Sequence, residues 1–67
     1  MNTKEIGKII KERRKSLKVN LLELSELAGV GINTLVAIER GEGNPKLATL
    51  LSILDTLGLQ ITIGLKS

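Results

Sequence analysis

The stretch Leu21-Leu22-Glu23-Leu24-Ser25-Glu26-Leu27-Ala28-Gly29-Val30-Gly31-Ile32-Asn33-Thr34-Leu35-Val36-Ala37-Ile38-Glu39-Arg40 decides how this chain folds. Its spacing predicts two short helices, over 21–28 and 32–40, joined by a glycine turn. Asn20 precedes the first as an N-cap, because its side-chain oxygen can accept from a free amide of the opening turn. Gly29 ends that helix, since a residue without Cβ enters the left-handed region at little steric cost. Gly41 ends the second. Leu24, Ala28, Val30, Leu35 and Ile38 form an apolar wedge between the two helices, with Ser25 small where the second passes close. A plain helical hairpin does not require this set at these intervals. A helix-turn-helix unit does.

Upstream, the spacing predicts a helix from Thr3 to Leu17, capped by Asn2 or Thr3, with Asn2 to Glu5 at capping-box distance. Ile6, Ile9, Ile10 and Leu17 repeat at helical spacing, and Arg13 and Arg14 occupy the missing step of that stripe. An arginine on an apolar seam requires an acidic partner. Downstream, Gly41-Glu42-Gly43-Asn44-Pro45 is a loop, and Pro45 fixes the entry to the next helix. That helix is expected from Leu47 to Leu57, with Leu47, Leu50, Leu51, Leu54 and Leu57 on its stripe and Gly58 as its stop. Gln60 to Leu65 then alternates, placing Ile61, Ile63 and Leu65 on one side as a short strand. A lone strand cannot satisfy its own ladder, so it needs a partner from elsewhere. The expected fold is all-α: one small four-helix domain over residues 1–67, with a C-terminal strand at about 60–65 paired between subunits.

Composition narrows the function. The chain has 67 residues, 42% of them hydrophobic, a size that buries roughly 60% of its extended surface. Without Cys or His, disulfides, cysteine–histidine zinc sites, thiolate nucleophiles and imidazole catalysis are removed together. An enzyme is not expected, nor a cofactor or a metal. Without Phe, Tyr or Trp there is no stacking platform for single strands or RNA. The opening Met1-Asn2-Thr3-Lys4-Glu5 leads into charged helix and not an apolar signal core, so a cytoplasmic protein is expected. Charge is uneven. Residues 1–18 hold seven basic side chains against Glu5 and Glu12, whereas 19–43 hold four glutamates against Arg40. A basic N-terminal third suits a polyanionic partner, although a solvated lysine face reads the same way.

From Ile6 to Leu59 the chain resembles the XRE/Cro family of lambda-repressor-like helix-turn-helix regulators. The matching words are Ile10-Lys11-Glu12-Arg13-Arg14, Leu24-Ser25-Glu26-Leu27-Ala28-Gly29-Val30, Ile38-Glu39-Arg40-Gly41, Asn44-Pro45 and Thr49-Leu50-Leu51. The resemblance implies an ion pair between Arg14 and Glu39. It also implies that the 32–40 helix enters the major groove by its N-terminal end. Ile32, Asn33, Val36 and Ala37 would then face base edges, with Asn33 able to bond adenine bidentately and the others limited to apolar contact. Thr34 would reach a phosphate or a base edge. Phosphates would lie at the helix starts Asn20–Leu21 and Lys46–Leu47, with Arg40, Asn44 and Lys46 as side-chain donors. The family's usual backbone-gripping glutamine is replaced by Leu21. The lysines of the first helix are expected to act as long-range field.

The resemblance further implies a homodimer on a palindromic operator of double-stranded DNA, with half-sites about 34 Å apart. Antiparallel pairing of Gln60–Leu65 would bury Ile61 and Ile63 across the twofold; a tail lying on the chain's own helices is the alternative for this segment. A repressor-like module followed by a terminal strand is also similar in architecture to HipB-type antitoxins, which implies a HipA-like kinase toxin as a further partner. A lone regulator is the rival reading. A protein-binding adaptor using the apolar side chains of the 32–40 helix is the reading from another class.

Overall fold

Asn2 accepts a hydrogen bond from the Glu5 amide at 2.9 Å and opens helix α1, Thr3–Ser16. The computed structural model describes residues 2–66. Helices α2 (Leu21–Ala28), α3 (Ile32–Glu39) and α4 (Leu47–Thr56) follow. Helix α2 starts with a reciprocal cap: the Glu23 amide donates to Asn20 Oδ1 at 2.8 Å, and the Asn20 amide donates to Glu23 Oε1 at 3.1 Å. The sequence places Leu17, Arg40 and Leu57 inside helices, whereas the structure makes each the half-turned cap just beyond.

Each helix drives part of one apolar centre. Ile10 of α1, Leu24 of α2, Leu35 of α3, and Ile53 and Leu57 at α4 are essentially inaccessible to water. Ile6, Val19, Leu21, Val30 and Leu59 pack around them. Full burial of side chains this large contributes about 1.5–3 kcal/mol each. The Ser52 hydroxyl donates to the Ala28 carbonyl at 2.7 Å, so α4 closes the C-terminal end of α2 with a polar contact as well.

Two sequence readings are corrected. The stripe of α4 is Leu50, Ile53, Leu54 and Leu57, while Leu47 and Leu51 are exposed, as are Ile9 and Leu17 at α1. Four short helices enclose too small a volume to cover an apolar arc that wide. The strand expected at 60–65 does not form within the single chain either: after Leu57 its described residues have no strand pairing. Alternation supplies a face but not a neighbouring ladder, and every other element is helical.

Lys18 ends α1 with φ 57°, the only non-glycine residue at positive φ among those described. The Val19 amide reaches the Arg14 carbonyl at 3.2 Å and the Lys18 amide the Lys15 carbonyl at 3.0 Å. This is the bonding pattern of a left-handed cap that favours glycine, here imposed on a residue with a Cβ. Lys18→Gly is therefore expected to raise stability by about 0.5–1 kcal/mol, after allowing for the freer unfolded chain. Thermal melting checks it; an unchanged or lowered midpoint would show that the cap carries no strain.

Candidate nucleic-acid interface

Helix α3 is held as a projecting rod by the turn before it. Gly29 has φ 68°, and its amide and that of Val30 reach back to the carbonyls of Glu26 and Ser25 at 3.2 and 2.9 Å. The chain then turns so that α2 and α3 are bent by 112°, within the range of about 90–120° seen in helix-turn-helix units. Leu35 and Ile38 are buried against the core, as are Leu24, Ser25 and Ala28 of α2.

Burying that side of α3 turns the other side outward. Ile32, Asn33, Thr34 and Arg40 are exposed, and Val36 and Ala37 are half-buried. Gly31 opens α3 without a side-chain cap, leaving the amides of its first turn directed outward. Asn44 lies beside this surface, lining a shallow cavity with Thr34 and Ala37, and Lys46 is exposed at the start of α4. Five of the residues expected at DNA therefore share one helix, Arg40 caps it and Asn44 adjoins it.

At the start of α2 the polar groups are already engaged. The side chain of Asn20 is spent on the Glu23 amide, and the Glu23 carboxylate closes the reciprocal bond. A fixed negative charge thus occupies the position where the helix dipole alone would favour a phosphate. Leu21 is half-buried and packs against the core. Helix α4 has no side-chain cap at Lys46. Ile61 lines a separate apolar cavity of about 200 Å³ with Ile6, Ile9 and Leu54, whereas Ile63 and Leu65 are fully open to solvent.

One ion pair fixes the end of α3 against α1. Arg14 Nε donates to Glu39 Oε2 at 2.7 Å and its Nη2 donates to Oε1 at 3.0 Å, while Nη1 donates to the Val19 carbonyl at 2.9 Å. Both side chains are buried to within a tenth of full coverage. Hydrogen bonding to Glu39 holds the guanidinium above its ordinary value, against the opposing effect of desolvation. The stability this lends is fully present below the ordinary guanidinium range and is lost only as pH rises through the raised folded-state value, so Arg14 introduces no switch near neutrality. Arg13 does different work: its Nε donates to the Leu57 carbonyl at 2.9 Å, tying α1 to the end of α4.

Gly7 is a contact that the sequence reading passes over. It is buried in α1, and a Cβ there would lie 2.7 Å from the Glu39 carbonyl oxygen. The available signal was a glycine beside Ile6, Ile9 and Ile10 in an otherwise strong helical segment.

A 112° helical corner with a solvent-open second helix defines a DNA-binding module of the helix-turn-helix class. The chain belongs to the XRE-type helix-turn-helix family, whose model, described as Helix-turn-helix, matches residues 10–63. It is 37% identical over 57 residues to the Immunity repressor protein of Bacillus phage phi105, covering 85% of this chain and 40% of that one. It is 34% identical over 59 residues to the Uncharacterized HTH-type transcriptional regulator y4mF of Sinorhizobium fredii (strain NBRC 101917 / NGR234), covering 88% and 78% respectively. The chain thus spans less than half the length of the phage protein. Its family activity is DNA-binding transcription regulation. Among the described residues no single helix is long and apolar enough to cross a membrane.

Proposed function

We propose that this chain is a sequence-specific binder of double-stranded DNA that represses transcription as a homodimer on a palindromic operator. The observation carrying this reading is the outward face of α3, where Asn33 and Thr34 stand exposed beside half-buried Val36 and Ala37. Ile32, Val36 and Ala37 offer methyl groups to thymine, and Asn33 offers the paired donor and acceptor that match adenine. Arg40, Asn44 and Lys46 hold the adjoining backbone. The phage relative, an immunity repressor protein, supports repression over activation.

Pairing of two modules supplies the specificity that one lacks. Ile63 and Leu65 are fully exposed at the end of the chain, and antiparallel pairing of Gln60–Leu65 with a second copy would remove them from water while supplying the missing ladder. A kinase toxin of the HipA kind is the partner that the antitoxin variant of this reading adds, and co-purification from cells expressing both proteins tests it. Truncation after Leu59 is expected to turn a dimer into a monomer by light scattering; a truncated chain that stays dimeric removes the strand pairing.

Base readout is tested by selecting operators from a randomised palindromic duplex and repeating the selection with Asn33→Ala. The substitution is expected to weaken binding to the selected site by about 1–3 kcal/mol and to relax preference at a single A·T pair in each half-site. An unchanged preference would move the readout away from Asn33. No selectable sequence at all would favour the protein-binding adaptor.

A further inference from the structure

We infer that Lys11 and Arg40 form a phosphate seat, so that α1 grips the DNA backbone directly beside the recognition helix; this rests on the duplex-binding reading above. The seat is a surface cavity of about 180 Å³ between α1, α3 and the start of α2. Lys11 and Arg40 line it together with Leu21, Val36 and the Arg14–Glu39 pair.

The charges of this cavity do not cancel. Arg14 and Glu39 neutralise each other through two hydrogen bonds. Among the described residues the remaining ion pair is Lys8–Glu12 at 3.9 Å, so neither Lys11 nor Arg40 is engaged in one. Both are exposed. Two cations at a concave surface focus positive potential there more strongly than they would on a convex one. The class of ligand this fits is a phosphodiester, a singly charged group whose two non-bridging oxygens can each meet a cation.

Position identifies which polyanion. Val36 belongs to the outward face of α3 and Arg40 caps that helix, so the cavity opens at the margin of the surface that would face base edges. Leu21 brings no donor to the cavity, and Glu23 already closes the start of α2. A backbone phosphate reaching this margin would find its donors on α1 and on the last turn of α3. Lys11 also lies on a ridge with Lys4, Lys8 and Lys15, spaced at 4, 3 and 4 residues along α1. Lys8 is paired with Glu12, so the ridge adds Lys4 and Lys15 as further cations, whereas Lys11 is the member that lines the cavity with Arg40.

The test uses the full chain and a short duplex of mixed sequence, because phosphate contacts act on any sequence. Each direct contact contributes about 0.9 to the slope of log K against log salt. Lys11→Gln and Arg40→Gln are each expected to lower the slope by about 0.9, and the double variant by about 1.8. Lys15→Gln, on the same ridge but outside the cavity, is expected to change it far less. Circular dichroism melting checks that each exposed substitution leaves the fold intact. A Lys11→Gln slope equal to that of the unaltered chain, or to that of Lys15→Gln, overturns the seat and leaves duplex binding standing. Failure of the unaltered chain to bind any duplex overturns both.

Discussion

Glu39→Ala is expected to destabilise the protein by about 3–5 kcal/mol, because it strands the Arg14 guanidinium in a site with little access to water. The arginine would keep its bond to the Val19 carbonyl and lose both bonds to carboxylate oxygens. Total stability for a chain this size is on the order of 3–10 kcal/mol, so the variant stands near its folding limit. Its melting midpoint should fall by more than about 10 °C. The effect belongs to stranding and not to the net worth of the pair. Replacing both partners, as Arg14→Met with Glu39→Leu, removes the charge together with its counter-charge and is expected to recover most of the loss. Urea unfolding of the two variants checks this. Equal midpoints for Glu39→Ala and the parent would mean that water reaches the guanidinium freely, contrary to its burial.

Local rules made much of the fold legible. Asn20, Gly29 and the leucine spacing locate α2 at both ends, since a cap, a left-handed stop and a 3.6-residue period each act within a few residues. What depends on distant neighbours was less accessible. Arg14 asks for an acid, but spacing cannot select one 25 residues away; the expectation of Glu39 came from family resemblance. Leu47 and Leu51 sit at the edge of a stripe whose covered width depends on how many helices pack over it. The alternation at 60–65 describes a face for pairing and says nothing about who pairs. Lys18 carries no compositional mark of its left-handed backbone. For the interface, the family resemblance nominated Asn33 and Arg40 by placing their helix in the groove, whereas the cavity joining Lys11 to Arg40 depends on the crossing of α1 over the end of α3.

That crossing is governed by Gly7. In an open helix a Gly→Ala change adds about 0.5–1 kcal/mol of stability. At this site the sign is expected to reverse. The added Cβ would press on the Ile38 carbonyl oxygen and lie 2.7 Å from the Glu39 carbonyl oxygen and 2.9 Å from its carbon. All three are backbone atoms at the end of α3, so no side-chain rotation relieves the overlap. Helices α1 and α3 must instead separate, which stretches the Arg14–Glu39 bonds that cross the same gap. Overpacking of this kind costs about 1–3 kcal/mol, and the backbone obstacle places Gly7→Ala toward the upper part of that range. Because α3 carries the proposed reading face, operator affinity should weaken even under conditions where the variant remains folded. Denaturant unfolding measures the first effect and titration of a selected operator the second. A stabilised Gly7→Ala would show that the two helices do not touch at this point, and the support of α3 would then rest on the ion pair and the core alone.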